Sequence, residues 1–294
     1  MNVLTPDFGI EINGGKVSAF ILKSILEINV REQLDVGAAF TITFQDAVDT
    51  STGNFVLLDD PLFSPGNRVL LKIGYVNHLE TVIDGEIKSI EPEFSASDPP
   101  TFTIEGQDHS FDYLKKKSPM YDFKAMTYRR IVEKIAVDAG LTPMVDPIVP
   151  SGPVPLLRKS GKETYYEFLM ALAADTGYKF SVDRKKLLFR RPGNLEPVTR
   201  LRLGRDLLAF SPRLRDTGLF KSIEVRGHNQ QDPNEPFVGK AFSSIAGAGE
   251  EKVIDDRNVL SRAHARAIAG AEMEKAGYTN IEATLNSVGL PQLR

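Results

Sequence analysis

A chain of 294 residues with 41% hydrophobic and 26% charged side chains is long enough for two or three domains with substantial cores. Its 36 Lys and Arg against 39 Asp and Glu leave a net charge of −3, which argues against nucleic acid as the main partner. The absence of cysteine excludes disulfides, thiolate nucleophiles and cysteine-held zinc.

The opening segment MNVLTPDFGIEINGG lacks the basic and apolar regions of a signal peptide. No apolar run approaches the ~18 residues of a membrane span, so any membrane contact is expected only through partners. Residues 1–114 alternate with period two: Leu26, Ile28 and Val30; Phe40, Ile42 and Phe44; Val69, Leu71, Ile73 and Tyr75; Phe102 and Ile104. β-Branched and aromatic residues in that rhythm predict half-buried strands. Asn13-Gly14-Gly15, Pro65-Gly66-Asn67, Asp84-Gly85 and Asp98-Pro99-Pro100 read as the turns between them. Evenly spaced short strands suggest a barrel or sandwich.

One connection, Asp46 to Pro65, is long and carries Phe55, Leu57, Leu58, Leu62 and Phe63. Long loops with apolar content are often functional. Two readings stand: the loop packs on its own barrel, or these five residues contact a neighbouring subunit.

Residues 115–200 change period and predict a small α/β module. Thr127 is placed to cap a helix whose apolar face is Tyr128, Ile131, Val132 and Ile135, ending at Gly140. Thr164-Tyr165-Tyr166-Glu167 has the spacing of a capping box, with an apolar stripe after it and Gly177 as the stop. Two strands follow, Tyr178 to Val182 and Leu187 to Phe189, around an Asp183-Arg184 turn. Residues 201–294 return to strand patterns, with Ile223 and Val225 in alternation and a turn at Asp232-Pro233-Asn234. A small-residue loop spans 243–249, and an Ala-rich helix runs from about Ser261 to Ala276 and ends at Gly277. The fold class is therefore β-rich α+β, with a β domain at each end and the α/β module between.

Chemistry is sparse. His78, His109, His228 and His264 show no metal-site spacing, and Ser160-Gly161-Lys162-Glu163-Thr164 lacks the first glycine and the Ser/Thr of a phosphate loop. Glu163, Glu167 and Asp175 read as capping or solvated residues rather than an acid–base pair. Lys115-Lys116-Lys117, Arg184-Lys185-Lys186 and Arg190-Arg191 lack the interleaved aromatics of a nucleic-acid site and read as charged sheet edges; a channel lining is the functional alternative. No catalytic, cofactor-binding or metal residue is assigned, and folding is expected without a metal or cofactor.

Several segments resemble the phage late control gene D family. They are Leu62-Phe63-Ser64-Pro65-Gly66 with Val69 to Tyr75, Asp84-Gly85-Glu86-Ile87 with Ile90 to Phe94, and Phe102 to Ser110. Glu167 to Tyr178, Leu187 to Pro192, Leu207 to Leu214 and Ile223 to Gly227 follow in the same order. The resemblance implies a VgrG-like baseplate hub of a contractile tail or injection system. It implies two tube-like β-barrel domains per subunit, 1–114 and 201–294, in a homotrimer of pseudo-six-fold symmetry. The implied partners are the inner tube or a tube-initiator protein, a spike protein or C-terminal spike domain, and baseplate proteins. Assembly in the bacterial cytoplasm is implied as well, and no catalytic residue comes with the family.

Members of that family continue past a segment like Gly289-Leu290-Pro291-Gln292-Leu293-Arg294, so the last strand is expected to pair outside this chain. A tail-associated cell-wall hydrolase and a host-binding β module are the alternative readings. The first wants paired carboxylates or a metal. The second favours exposed Trp, of which the chain has none.

Overall fold

The computed structural model describes residues 5–33, 36–117, 119–148, 151–183, 185–191, 199–214, 220–228, 232, 234–243, 249–255, 259, 261–279 and 281–290. Among the positions singled out above, Arg184, Pro192, Pro233, most of the 243–249 loop and the final four residues lie outside that set. The chain divides into two units. The first runs to Tyr113 and takes the chain back at Gly289; the second runs from Leu114 to Val288.

The first unit holds β1 (Pro6–Ile12), β2 (Gly15–Lys16), α1 (Ala19–Lys23), β3 (Ile25–Gln33), β4 (Val36–Gln45), β5 (Arg68–Tyr75), β6 (His78–Glu93), β7 (Thr101–Asp108) and α2 (His109–Asp112). Its strands form one seven-stranded sheet in the order β2-β1-β5-β6-β7-β4-β3. Asn13 and Gly14, both at positive φ, make the two-residue turn from β1 to β2, as Asn-Gly demands. Asp84-Gly85 is no turn, contrary to expectation. It lies within the 16-residue β6, which pairs with β5 over His78–Glu86 and with β7 over Gly85–Glu93.

Glycine is required there by close approach. A Cβ at Gly85 would stand 2.5 Å from the Gln107 carbonyl oxygen, and one at Gly106 would stand 2.3 Å from the Phe40 ring. The buried Phe40 thus fills the space that two missing side chains leave where β6 changes partner. The chain's return is fastened by the Tyr75 hydroxyl, which donates to the Gly289 carbonyl at 2.7 Å.

The second unit holds β8 (Tyr121–Met126), α3 (Tyr128–Asp138), β9 (Thr142–Val145), β10 (Val154–Lys159), α4 (Tyr165–Thr176), β11 (Lys179–Asp183), β12 (Lys186–Arg190), β13 (Leu207–Leu214), β14 (Phe220–Gly227), β15 (Phe237–Phe242), β16 (Glu250–Asp255), α5 (Arg262–Thr279) and β17 (Ile281–Ser287). Both predicted caps form. The Arg130 N–H donates to the Thr127 hydroxyl at 3.3 Å. At α4 the box is reciprocal: the Glu167 N–H donates to the Thr164 hydroxyl at 3.1 Å, and the Thr164 N–H donates to the Glu167 carboxylate at 2.8 Å. Gly177, at φ 75°, ends α4 as expected. The last helix runs through Gly277 to Thr279, beyond the predicted stop. Among the described residues no helix is long and apolar enough to cross a membrane.

Helix α5 packs on the three-stranded sheet β15-β14-β16. Ile223, Val225, Ala265, Ile268 and Ala269 form the core between them. Gly239 of β15 permits that approach, since a Cβ there would meet the Arg266 nitrogen at 2.1 Å. The β-rich expectation holds, but no sheet closes into a barrel among the described residues. The seven-stranded sheet ends on β3 at one side and on the two-residue β2 at the other. Strands of the last segment divide between the three-stranded sheet and a two-stranded ribbon, β13-β17. That ribbon corrects a second expectation: the last strand pairs with β13 of its own chain.

Two glycines are expected to respond to alanine with opposite signs. Gly239→Ala forces two backbones apart and should destabilise by about 1–3 kcal/mol. Gly270→Ala, in α5 with open space where the methyl would go, should stabilise by about 0.5–1 kcal/mol. Chemical denaturation measures both. Acid should also weaken α4. The N–H and hydroxyl of Thr164 hold the Glu167 carboxyl below its ordinary 4.5, so its stabilising contribution is present above pH 4.5 and lost as pH falls through the lowered value. Glu167→Gln should remove that part of the acid slope.

Candidate functional site

The loop from Asp46 to Pro65 is organised by one buried carboxylate. Asp46 Oδ1 accepts the N–H groups of Ala47 at 2.7 Å and Leu57 at 3.0 Å, and Oδ2 accepts that of Leu58 at 2.8 Å. The loop therefore turns back on its root. Its outgoing and returning arms meet at the Val48–Phe55 bridge. Between them Asp49 closes the tip, its carboxyl held below the ordinary value by the Ser51 hydroxyl and N–H. Asp60 then caps a single 3-10 turn, Pro61–Phe63, by accepting the Leu62 N–H at 2.9 Å. Asn67 fixes the exit by donating to the carbonyls of Pro61 and Leu62.

This path separates the five predicted contact residues. Leu57 and Phe63 are buried in the core of their own unit, where the Phe63 ring meets Phe44 at 5.0 Å and Phe102 at 5.1 Å, edge-on to both. Leu58 and Leu62 pack partly buried against that core. Phe55, also half-buried, lies outside that core cluster and stacks at 5.2 Å on Phe94. Phe94 is 60% exposed, and Val48 and Val56 beside the stack are exposed too. The result is a small aromatic pair at the surface beside the arm that Asp46 anchors. Phe94 and Asp46 escaped the sequence reading; the only hint was a carboxylate at the exact end of a strand.

The second apolar surface is the β13-β17 ribbon. Opposite residues of an antiparallel pair share a face. Phe210 with Leu285 and Pro212 with Ala283 therefore make one side, extended by Leu214 at the same parity; Ser211 with Thr284 and Arg213 with Glu282 make the other, and Leu208 sits at a register irregularity. Every residue of β13 after Leu207 is exposed, as are residues 282–286 of β17. An amphipathic ribbon with both faces bare is unusual, because two strands alone have no core to stand on.

Titratable groups offer less. Glu86, His109 and Asp112 gather their ligand-type atoms within 4.8 Å of one another, a grouping across β6 and α2 that spacing did not reveal. The Lys88 ammonium already stands between the carboxylates, 3.1 Å from Glu86 and 3.0 Å from Asp112. Glu163 accepts the Ser160 N–H and Glu167 serves the capping box. In the basic stretches Arg191 pairs with Glu274 at 2.6 Å, and Lys115, Lys116 and Lys117 are exposed.

Removing the organising carboxylate should release the loop. Asp46→Ala leaves three N–H groups without their acceptor and should cost about 2–3 kcal/mol. Hydrogen exchange at Leu57 and Leu58 should quicken well before the sheet opens.

The fold is shared with solved phage tail proteins. The 43 kDa tail protein of prophage MuSo2 from Shewanella oneidensis matches with a TM-score of 0.72 over 97% of this chain and 83% of its own, at 18% identity. The tail protein from Neisseria meningitidis MC58 matches at 0.69, over 97% and 81%, with 12% identity. Prophage tail protein gp18 from Listeria monocytogenes EGD-e matches at 0.56, over 89% and 76%, with 11% identity. At such identities the likeness is one of fold. No curated protein matches the sequence. The matching family model is not that of late control gene D: it is the Alg8 N-terminal domain, aligned over residues 3–283, and the chain belongs to that family.

Proposed function

We propose that the chain is a structural baseplate hub of a contractile tail-like injection system, one that adapts a hexameric inner tube to a trimeric spike. The observation that carries this reading is the fold likeness to tail proteins over 97% of the chain. The bare apolar surfaces support it, since exposed apolar patches mark protein–protein contact. On this reading the chain is not an enzyme and works by assembly alone. Three copies form the hub. The first unit and the 201–294 segment of each supply six tube-like wall elements around the ring, and barrel-like closure comes from the assembly rather than from one chain. Cyclic closure leaves no heterologous surface free to drive fibres. Above the ring stands the inner tube or a tube-initiator, below it a spike protein or spike domain, and baseplate proteins surround it. Assembly takes place in the bacterial cytoplasm. The part of the 46–65 loop left at the surface, around Phe55, reaches a neighbouring subunit.

Native mass spectrometry of the chain, alone and from assembled particles, tests this. Three copies per particle are expected. Six copies per particle would replace the hub reading with that of a tube or wedge protein.

A further inference from the structure

The sequence holds one Asn-Gly pair, Asn13-Gly14. It makes the turn from β1 to β2, and both residues are exposed. The Asn13 side chain does more than turn the chain. Its Oδ1 accepts the Arg68 N–H at 3.0 Å, and its Nδ2 donates to Asn67 Oδ1 at 2.9 Å. Asn67 Nδ2 in turn donates to the carbonyls of Pro61 at 2.8 Å and Leu62 at 2.9 Å. Two side-chain amides in series thus tie the β1–β2 turn to the 3-10 turn that carries the buried Phe63.

Neither amide can be reversed. A backbone N–H only donates, so the Asn13 atom facing Arg68 is oxygen and the other is nitrogen. Backbone carbonyls only accept, so the Asn67 atom facing Pro61 and Leu62 is nitrogen, and oxygen is left for Asn13. The Asn67 backbone is fixed as well. Its carbonyl accepts the Ile87 N–H at 2.9 Å, and the neighbouring Gly66 N–H donates to the Ile87 carbonyl at 2.9 Å. Position 13 must therefore offer one acceptor and one donor from a short side chain, at φ 51°. Asparagine meets all of these demands; an ionised aspartate has no hydrogen to give.

Asn-Gly is also the pair in which the side-chain amide is most open to attack by the next backbone nitrogen, because glycine sets no Cβ beside that atom. The space around Gly14 is empty where a Cβ would stand. β2 holds β1 through only two register pairs, Glu11 with Lys16 and Ile12 with Gly15, so the turn opens locally at little cost. We infer that Asn13 is a site of spontaneous deamidation, and that its product unlatches the β1–β2 turn from the exit of the 46–65 loop. The Gly14 nitrogen bonds to Asn13 Cγ, the Cγ–Nδ2 bond breaks, and ammonia leaves with the proton that Gly14 gives up. Water then opens the cyclic imide at either carbonyl, giving aspartate or isoaspartate and a new negative charge. Neither product has Nδ2. In aspartate a carboxylate oxygen stands against Asn67 Oδ1, acceptor against acceptor. If Asn67 turns its amide to satisfy that oxygen, its own oxygen faces the Pro61 and Leu62 carbonyls instead. One end of the relay is lost in either arrangement. Isoaspartate also routes the main chain through Cγ, which lengthens a turn whose two-residue span sets the pairing of β1 with β2.

The test ages the full chain at mildly alkaline pH and follows it by peptide mapping. Conversion at Asn13 is expected to outpace every other asparagine by roughly tenfold or more, with an isoaspartate-specific methyltransferase labelling part of the product. Asn13 still intact when other asparagines have converted overturns the site. The coupling is read in Asn13→Asp by hydrogen exchange. The N–H groups of Phe63 and Ser64, which donate to the Asp60 and Pro61 carbonyls, should exchange roughly tenfold faster, while those of Ile42 and Ile104 in the middle of the sheet keep their rates. Unchanged exchange at Phe63 and Ser64 overturns the unlatching. Equal quickening at Ile42 and Ile104 overturns it too, because the variant has then loosened the whole unit and not the loop exit.

Discussion

The edge-on meeting of Phe63 with the stacked rings of Phe44 and Phe102 holds the first unit together. Three rings within about van der Waals reach, each fully desolvated, contribute area burial and the favourable quadrupole geometry of tilted pairs. Phe44 and Phe102 come from paired strands β4 and β7, directly opposite in register. Phe63 comes from outside the sheet, at the far end of a long loop. The loop is therefore not an ornament on a finished sheet, for the core is incomplete without it. Asp46 has the complementary task. It gathers the backbone of the returning arm so that Leu57 and Phe63 arrive together, and the tip of the loop is left standing at the surface.

In the second unit the decisive constraint is backbone proximity. Gly239 against α5, Gly227 against Val259 and Gly177 against Ala271 are three places where a methyl group would collide. At Gly239 helix α5 thus lies nearer its sheet than a side chain there would allow, and its Ala265 and Ala269 pack into that narrow layer. The buried Tyr128 hydroxyl meets His264 Nε2 at 3.2 Å, a polar join between α3 and α5 inside the same unit. Buried groups of this kind are tolerated only when partnered.

What could be read in the sequence was local. Thr164, Glu167 and Gly177 announce α4 because a capping box and a left-handed stop use residues within one helix. The stripe Tyr128, Ile131, Val132 and Ile135 is buried as its period requires. What could not be read depended on contacts distant in sequence. Gly85 looks like half of a turn, yet it is there for the Gln107 carbonyl. Leu57 and Phe63 looked like candidates for a partner because nothing local tells a core residue in a loop from an exposed one. Only Phe55 of the five lies outside the core cluster, and its companion Phe94 lies 39 positions away. Strand patterns in the last segment were visible, but not that β13 and β17 would stand exposed. Barrels were implied by the family resemblance, while strand rhythm left barrel or sandwich open, because it reports the faces of a sheet and says nothing about whether its edges meet.

The segment 207–287 begins and ends at neighbouring points. Leu207 lies opposite Ser287 at the mouth of the ribbon, and just outside it the Val288 N–H donates to the Asp206 carbonyl at 3.0 Å. Seen from its ends this excursion of some eighty residues has the footprint of a tight hairpin, but α5 within it is tied to the rest of the unit through Tyr128–His264, Gly177–Ala271 and Arg191–Glu274. A replacement would have to keep α5, whereas the exposed positions of β13 and β17 can change without touching those joins.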